Sequence, residues 1–268
     1  LRSDSDIHMG FMSELIYSSN IETRTDRTLE NKLYWNLPKK DEIEPRLKFT
    51  KFHDGMEIKV DELKVIPYSV DHSVPGAYGF MIEGSSARFA YTGDFRFHGP
   101  AQNLSKKFKD RLKEESLDAL IIEGTNMNLG RLCSEERVEK DAHELIEKSF
   151  RLGNKLAIVE VKSSDIDRIN SFVRVAKSLD STIAITTRVA YILDKIKRFG
   201  LEARLQHGMP KLKDEVRLFT KSRLTGWEKE LLERHRDIDI IDDKAIISPK
   251  ERIVLLDSGR FNVFDTTP

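Results

Sequence analysis

The sequence predicts an α/β protein in two parts, and three observations carry that prediction. Between Phe49 and Gly93, short β-branched and aromatic runs are broken by tight-turn residues. From Ser134 onward, strand-like and helix-like segments alternate strictly, the pattern of a parallel sheet with helical crossovers. Near residues 125–135 the composition shifts from one pattern to the other. The expected domains are therefore 1–130 and 131–268.

Taken in order, residues 12–46 read as polar and irregular, with a short helix around Leu29 to Leu37. LKFTKF, MEIKV, ELKVIPYSV, AYGFMIEG and ARFAYTG then read as strands joined at His53-Asp54-Gly55, Pro75-Gly76 and Gly84-Ser85. Gln102 to Glu115 is charged with helical spacing. LDALIIEG is apolar throughout, as in a strand buried on both faces. In the second part a helix begins behind Ser134 and runs to about Leu152. KLAIVEV is a strand, and Ser163-Ser164-Asp165 caps an amphipathic helix whose stripe is Ile166, Ile169, Phe172, Val173 and Ala176. STIAITT reads as a strand, RVAYILDKIKRFG and WEKELLERHRD as helices, and IDIID, AIISP and RIVLLDSG as closing strands.

Composition excludes several classes. The 45 basic side chains balance 45 acidic ones, so no global field recruits a polyanion and any such partner needs a local patch. The single cysteine, Cys133, cannot form an internal disulfide or a cysteine zinc cluster. No apolar run reaches the roughly 18 residues of a membrane helix, and no leader is legible, so a soluble cytoplasmic protein without a membrane partner is expected. No phosphate-binding glycine loop of either common type is present. The residues leave a homodimer open.

Two loops concentrate the chemistry. In SVDHSVPGAYGF a strand delivers Asp71-His72-Ser73 to a turn built by Pro75-Gly76, and a neutral imidazole there is placed to ligate a metal or simply to sit on a surface turn. In YTGDFRFHG a strand ends in Gly93-Asp94, and a carboxylate at a buried strand tip needs a cation, a metal or its own backbone as partner.

Together, DHSVPGAYGF followed about twenty residues later by YTGDFRFHGP resembles the metallo-β-lactamase superfamily, and within it the β-CASP nucleases of the ribonuclease J type. LDALIIEGTNMN, KLAIVEVKSSDIDRINSFVRVAK, LTGWEKELL and RIVLLDSGRFN resemble later parts of that family in order, so the likeness covers roughly residues 47–268. The resemblance implies part of an αββα metallo-β-lactamase sandwich with an inserted β-CASP α/β domain of parallel sheet. It implies metal-dependent hydrolysis of single-stranded RNA, in mRNA processing or decay, with two zinc ions as cofactors. It assigns His72 as ligand of one zinc, Asp94 as the bridge between both, and Glu160 as the acidic residue closing over the site. Ser73, Thr125 and Ser163 fall where substrate would pass. A basic groove between the domains would hold RNA, with Arg96, Lys162, Arg168 and Lys211 as contributors or as plain solvated surface.

The family's main metal motif, HxHxDH followed by an apolar residue and Gly, meets only His8-Met9-Gly10-Phe11 here. Counting back places Ser3, Ser5 and Ile7 on the other ligand positions, which are poor zinc donors or none. Asp4, Asp6 and His8 alternate and would share one strand face as an oxygen-rich substitute. The strands that precede this motif and the histidines that follow the β-CASP insert are not in the chain, so an exposed apolar sheet face is expected. Three readings follow: a portion of a longer enzyme, a non-catalytic RNA-binding or assembly subunit with a decayed metal motif, or an altered metal site. A small-substrate metallo-hydrolase is a further alternative, against which the long αβ insert counts.

Other candidates have plainer readings. His143, Glu144 and Glu147 lack the second histidine of a zincin and read as a solvated helix face. His98 reaches towards the Asp94 loop or the surface. Cys133 has no legible histidine partner. His53, His207 and His235 carry no signal. Asn126 ends a strand, and Trp227 stacks on a base or packs its helix.

Overall fold

The computed structural model describes residues 7–23, 49–125 and 133–257, except 206 and 222. Its contacts divide the chain into two compact units, Leu1–Leu132 and Cys133–Pro268.

The first unit opens with β1 (Ile7–Gly10) and α1 (Phe11–Glu22). The helix corrects the expectation of an irregular segment from residue 12: Met12, Leu15 and Ile16 recur at helical spacing and are buried. The helix expected around Leu29 to Leu37 lies outside the described residues. β2 (Phe49–Phe52) runs parallel to β1, with His8 opposite Thr50. Then follow β3 (Ile58–Val60), β4 (Leu63–Val70), β5 (Ala77–Glu83), β6 (Arg88–Tyr91), α2 (Gln102–Glu114) and β7 (Ala119–Ile121). These strands form one sheet in the order β3-β4-β5-β6-β7, antiparallel except for the parallel β6–β7 pair. Phe52 packs edge-on against Tyr78 and Phe80 of β5. α2 lies on β4 through buried Phe108, which stacks on Tyr68.

LDALIIEG is not the doubly buried strand that its composition predicts. Only its middle pairs, with β6 alone, and Leu120, Ile121 and Ile122 are 51%, 51% and 59% exposed. β7 is the outermost strand of the sheet, and nothing among the described residues covers its side chains. Val60 and Leu63 are also exposed.

The second unit contains α3 (Glu135–Arg151), β8 (Leu156–Glu160), α4 (Ile166–Ser178), β9 (Thr182–Thr186), α5 (Thr187–Arg198), β10 (Arg217–Phe219), α6 (Gly226–Arg234), β11 (Ile240–Ile241), α7 (Asp243–Ile247) and β12 (Ile253–Asp257). Ser134 caps α3 by accepting from the Arg137 amide, Asp165 caps α4, and Thr225 with Glu228 forms a capping box on α6. The five strands are all parallel in the order β11-β10-β9-β12-β8. The last strand is thus interior to the sheet: Val254, Leu255 and Leu256 are fully buried between β8 and β9. AIISP, expected as a strand, is mostly helix, because the Asp242 carboxylate accepts from the Ala245 amide and starts a turn. Strand β10 carries only a short apolar run and was not legible.

α5 and α6 are joined by a buried ion cluster. Asp194 is 4% exposed in its side chain and meets Arg198 at 3.2 Å, Arg234 at 3.1 Å and His235 at 2.8 Å. Among the described residues no helix is long and apolar enough to cross a membrane.

Central burial and edge exposure give opposite expectations for two leucines. Leu255→Ala should cost about 2–5 kcal/mol in urea unfolding. Leu120→Gln should change stability by no more than about 0.5 kcal/mol.

Candidate functional site

β4 and β6 run to neighbouring strand tips on either side of β5, and the loops that leave them carry His72 and Asp94. The His72 Nε2 lies 3.8 Å from Asp94 Oδ2, with the imidazole partly covered and the carboxylate 69% exposed. The two residues singled out in the sequence therefore meet.

The loops are held by the residues beside them. Asp71 is 1% exposed, and its Oδ1 accepts from Arg96 Nε at 3.1 Å. The Arg96 amide donates to the Asp71 carbonyl at 2.8 Å, and the Asp71 amide donates to Ser105 Oγ of α2 at 2.9 Å. One buried residue thus ties the His72 loop to the Asp94 loop and to the helix. Burial pushes the Asp71 carboxyl above the ordinary 3.8, while Arg96 and His98 pull against it. Gly99 closes this pocket, because a Cβ there would stand 2.3 Å from Asp71 Oδ2. Gly93 has φ +56°, and a Cβ would come 2.5 Å from the Tyr78 carbonyl, so only glycine brings Asp94 this close to β5.

Glu123 belongs to the same neighbourhood. Its Oε1 accepts from the Phe95 amide at 2.9 Å, and its own amide donates to Thr92 Oγ1 at 3.3 Å. The Phe95 amide, with donors from Thr125 and the nearby His72, holds its carboxyl below the usual 4.5. Sequence reasoning passed over Glu123 and chose Glu160 as the acidic partner. The available signal was a lone carboxylate ending an otherwise apolar strand.

Other predicted residues fall as follows. Ser73 is half-buried in the His72 loop, and Thr125 is exposed and bonded to Glu123. Glu160 is exposed at the end of β8 in the second unit, where Ser163 is half-buried in the turn before α4. His8 is exposed on β1, although the helix that follows it is docked onto the His72 turn by the Ser13 hydroxyl, which donates to the Gly76 carbonyl at 2.6 Å. Asp4, Asp6 and Asn126 lie outside the described residues. Arg168 is a structural cation, bidentate to buried Glu135 at 2.9 Å on both arms. Lys162 and Lys211 are exposed, and Cys133 is an exposed free thiol. Trp227 packs edge-on against Tyr191, and His235 serves Asp194. Of these residues His235 carried no sequence signal, because its partner lies 41 positions away.

The donor set was tested against zinc. Structural zinc takes four protein ligands and catalytic zinc three with an open position. Among the described residues no three His, Cys, Asp or Glu side chains converge as a metal site. His72 and Asp94 provide two, His8 does not join them, and an oxygen of Glu123 is spent on the Phe95 amide. The described residues alone do not fit the ion.

Comparison with known proteins places these loops in context. A scan against protein-family models finds no match. The protein named ribonuclease J of Mycoplasma genitalium is 23% identical over 155 residues, 53% of this chain and 27% of its own length. The ribonuclease J of Mycoplasma pneumoniae is 23% identical over 153 residues, 52% of this chain and 26% of its own length. The chain thus spans about a quarter of the length of these curated relatives. A crystal structure of an Enterococcus faecalis V583 protein of unknown function superposes with a TM-score of 0.64 at 17% identity, covering 97% of this chain and 55% of that one. The fold is shared with that larger α/β chain, and the sequence likeness to ribonuclease J is distant and partial.

Two expectations follow from the loop anchors. Arg96→Met strands the Asp71 carboxylate without its cation and should cost about 3–5 kcal/mol in urea unfolding. Because the Glu123 carboxyl is depressed in the folded state, it adds stability above 4.5 that is lost as pH falls through its lowered value. Unfolding midpoints measured from neutral to acid pH should therefore fall less steeply below 4.5 for Glu123→Gln than for the wild type.

Proposed function

We propose that this chain is part of a ribonuclease J-like protein that acts on single-stranded RNA by phosphodiester hydrolysis. In this reading the first unit is the partial metallo-β-lactamase-like sandwich and the second the β-CASP-like domain. The observation that carries it is the meeting of His72 and Asp94 at 3.8 Å, because the family resemblance is concentrated in the loops that bear them. The distant likeness to two proteins named ribonuclease J supports the substrate class.

What the chain's own residues supply is limited and specific. An imidazole and a carboxylate side by side, His72 Nε2 and Asp94 Oδ2 at 3.8 Å, are the side-chain types that general acid–base catalysis uses. Phe95 and Thr92 are fixed by Glu123, so Asp94 is presented from a loop anchored on both sides. A complete zinc site needs donors beyond those of the described residues.

A second reading has its own support. The stretch aligned with the family's main metal motif offers His8 alone, and that side chain is exposed. A non-catalytic RNA-binding subunit fits this observation.

One experiment separates the readings: incubation of the chain with single-stranded RNA, with and without added zinc, alongside Asp94→Asn and His72→Ala. The hydrolase reading expects cleavage by the wild type and a loss of about a hundredfold or more in either variant. Binding without cleavage selects the second reading. Equal cleavage by Asp94→Asn overturns the role given to the pair.

A further inference from the structure

The chain is electrically neutral, and several of its described cations meet carboxylates, among them Arg88, Arg137, Arg151, Arg168, Arg174, Lys177, Lys213 and Arg217. Helix α2 departs from this. It carries Lys106, Lys107, Lys109, Arg111 and Lys113 against Asp110 and Glu114. Lys106, Lys107 and Lys109 have no carboxylate partner among the described residues, and Lys113 shares Asp110 at 3.5 Å with both side chains exposed. Lys106, Lys109 and Lys113 recur at i, i+3 and i+7 and so share one exposed flank of the helix, beside the side on which Ser105 and Phe108 are buried.

This stripe is joined to the candidate site by an aromatic ring. Phe97 is three residues beyond Asp94 and 39% exposed, so its ring is open to solvent beside the pair. The Lys109 ammonium lies over its ring, 5.8 Å from the centroid. Phe95 stands edge-on to it at 5.2 Å and fixes its orientation, and Phe95 is itself tied to Glu123. Three residues of extended chain span no more than about 11 Å, so the ring and the His72–Asp94 pair are near neighbours.

We infer that the Lys106–Lys109–Lys113 face of α2 and the Phe97 ring form a track for single-stranded RNA leading to the His72–Asp94 pair. Phosphates meet the ammonium groups, and an unstacked base lies on Phe97. The inference deepens the proposed function and rests on its assignment of RNA as substrate. A duplex offers no free base face to the ring. An anionic lipid surface is disfavoured because α2 buries Phe108, leaves Leu104 and Leu112 only partly exposed and shows solvent no large apolar side chain.

The test is fluorescence anisotropy of a labelled oligouridylate with the full chain, in EDTA so that no metal-dependent cleavage intervenes, at several salt concentrations. Wild type should bind with affinity falling as salt rises. Lys106→Gln/Lys109→Gln/Lys113→Gln should bind more weakly, and its slope of log affinity against log salt should shrink by about two, from three single-strand contacts. Phe97→Ala should weaken binding about tenfold with the slope unchanged, and Phe97→Trp should restore it. Urea midpoints within error of wild type show that the variants fold. An unchanged slope and affinity in the triple variant overturns the track, as does wild-type binding to phosphatidylserine vesicles but not to RNA. Absence of cleavage with zinc bears on the hydrolase reading alone and leaves these binding results standing.

Discussion

The first unit depends on one buried carboxylate. Asp71 sits between the residue that carries the imidazole of the pair and a helix it bonds through its amide, and it meets the guanidinium of Arg96 from the opposite loop. An ionised group this deeply covered is expensive in isolation, and a single cation does not cancel the cost: burial still lifts its carboxyl above 3.8. What is obtained in return is geometric. Two loops from different strand tips are fixed relative to each other by a contact that cannot slide without exposing an unpaired charge.

The second unit uses the same device for a different end. Asp194 gathers two arginines and a histidine where α5 meets α6. There the cluster ties together two helices of a unit whose sheet buries Ile253, Val254, Leu255 and Leu256 of β12 between its neighbours. Buried charge therefore marks a joint in both units, and only the geometry around it distinguishes a site from a brace. Asp71 lies beside a loop with an exposed carboxylate, Asp94, whereas Asp194 meets Arg198, Arg234 and His235, which lie on or at the end of α5 and α6.

Much of this was legible in the residues. Caps at Ser134, Asp165 and Thr225 and stripes such as Ile166, Ile169 and Phe172 located the helices of the second unit, since both signals are local. His72 and Asp94 were legible because each follows a strand and precedes glycine- or proline-bearing turns. What failed was whatever depends on neighbours distant in sequence. The apolar composition of LDALIIEG cannot say whether a layer covers it, and at the sheet edge none of the described residues does. The helix at Asp243 was hidden because a β-prone run, Ala245-Ile246-Ile247, was overruled by one capping carboxylate. Arg96 and Arg168 look alike in the sequence, yet one locks a loop and the other an adjacent helix pair. Glu123 was missed because a carboxylate ending a strand acquires meaning only when the amide it accepts from, Phe95, is seen beside it.

The open flank of β7 has a consequence for the protein in solution. Among the described residues this strand pairs on one side only, and with three greasy residues in a row and no lysine or proline among them it is a template on which further strands can be laid. Concentrated preparations of the free chain will be drawn towards intermolecular zippering along that margin, so its colloidal behaviour is governed there rather than by its evenly balanced charge.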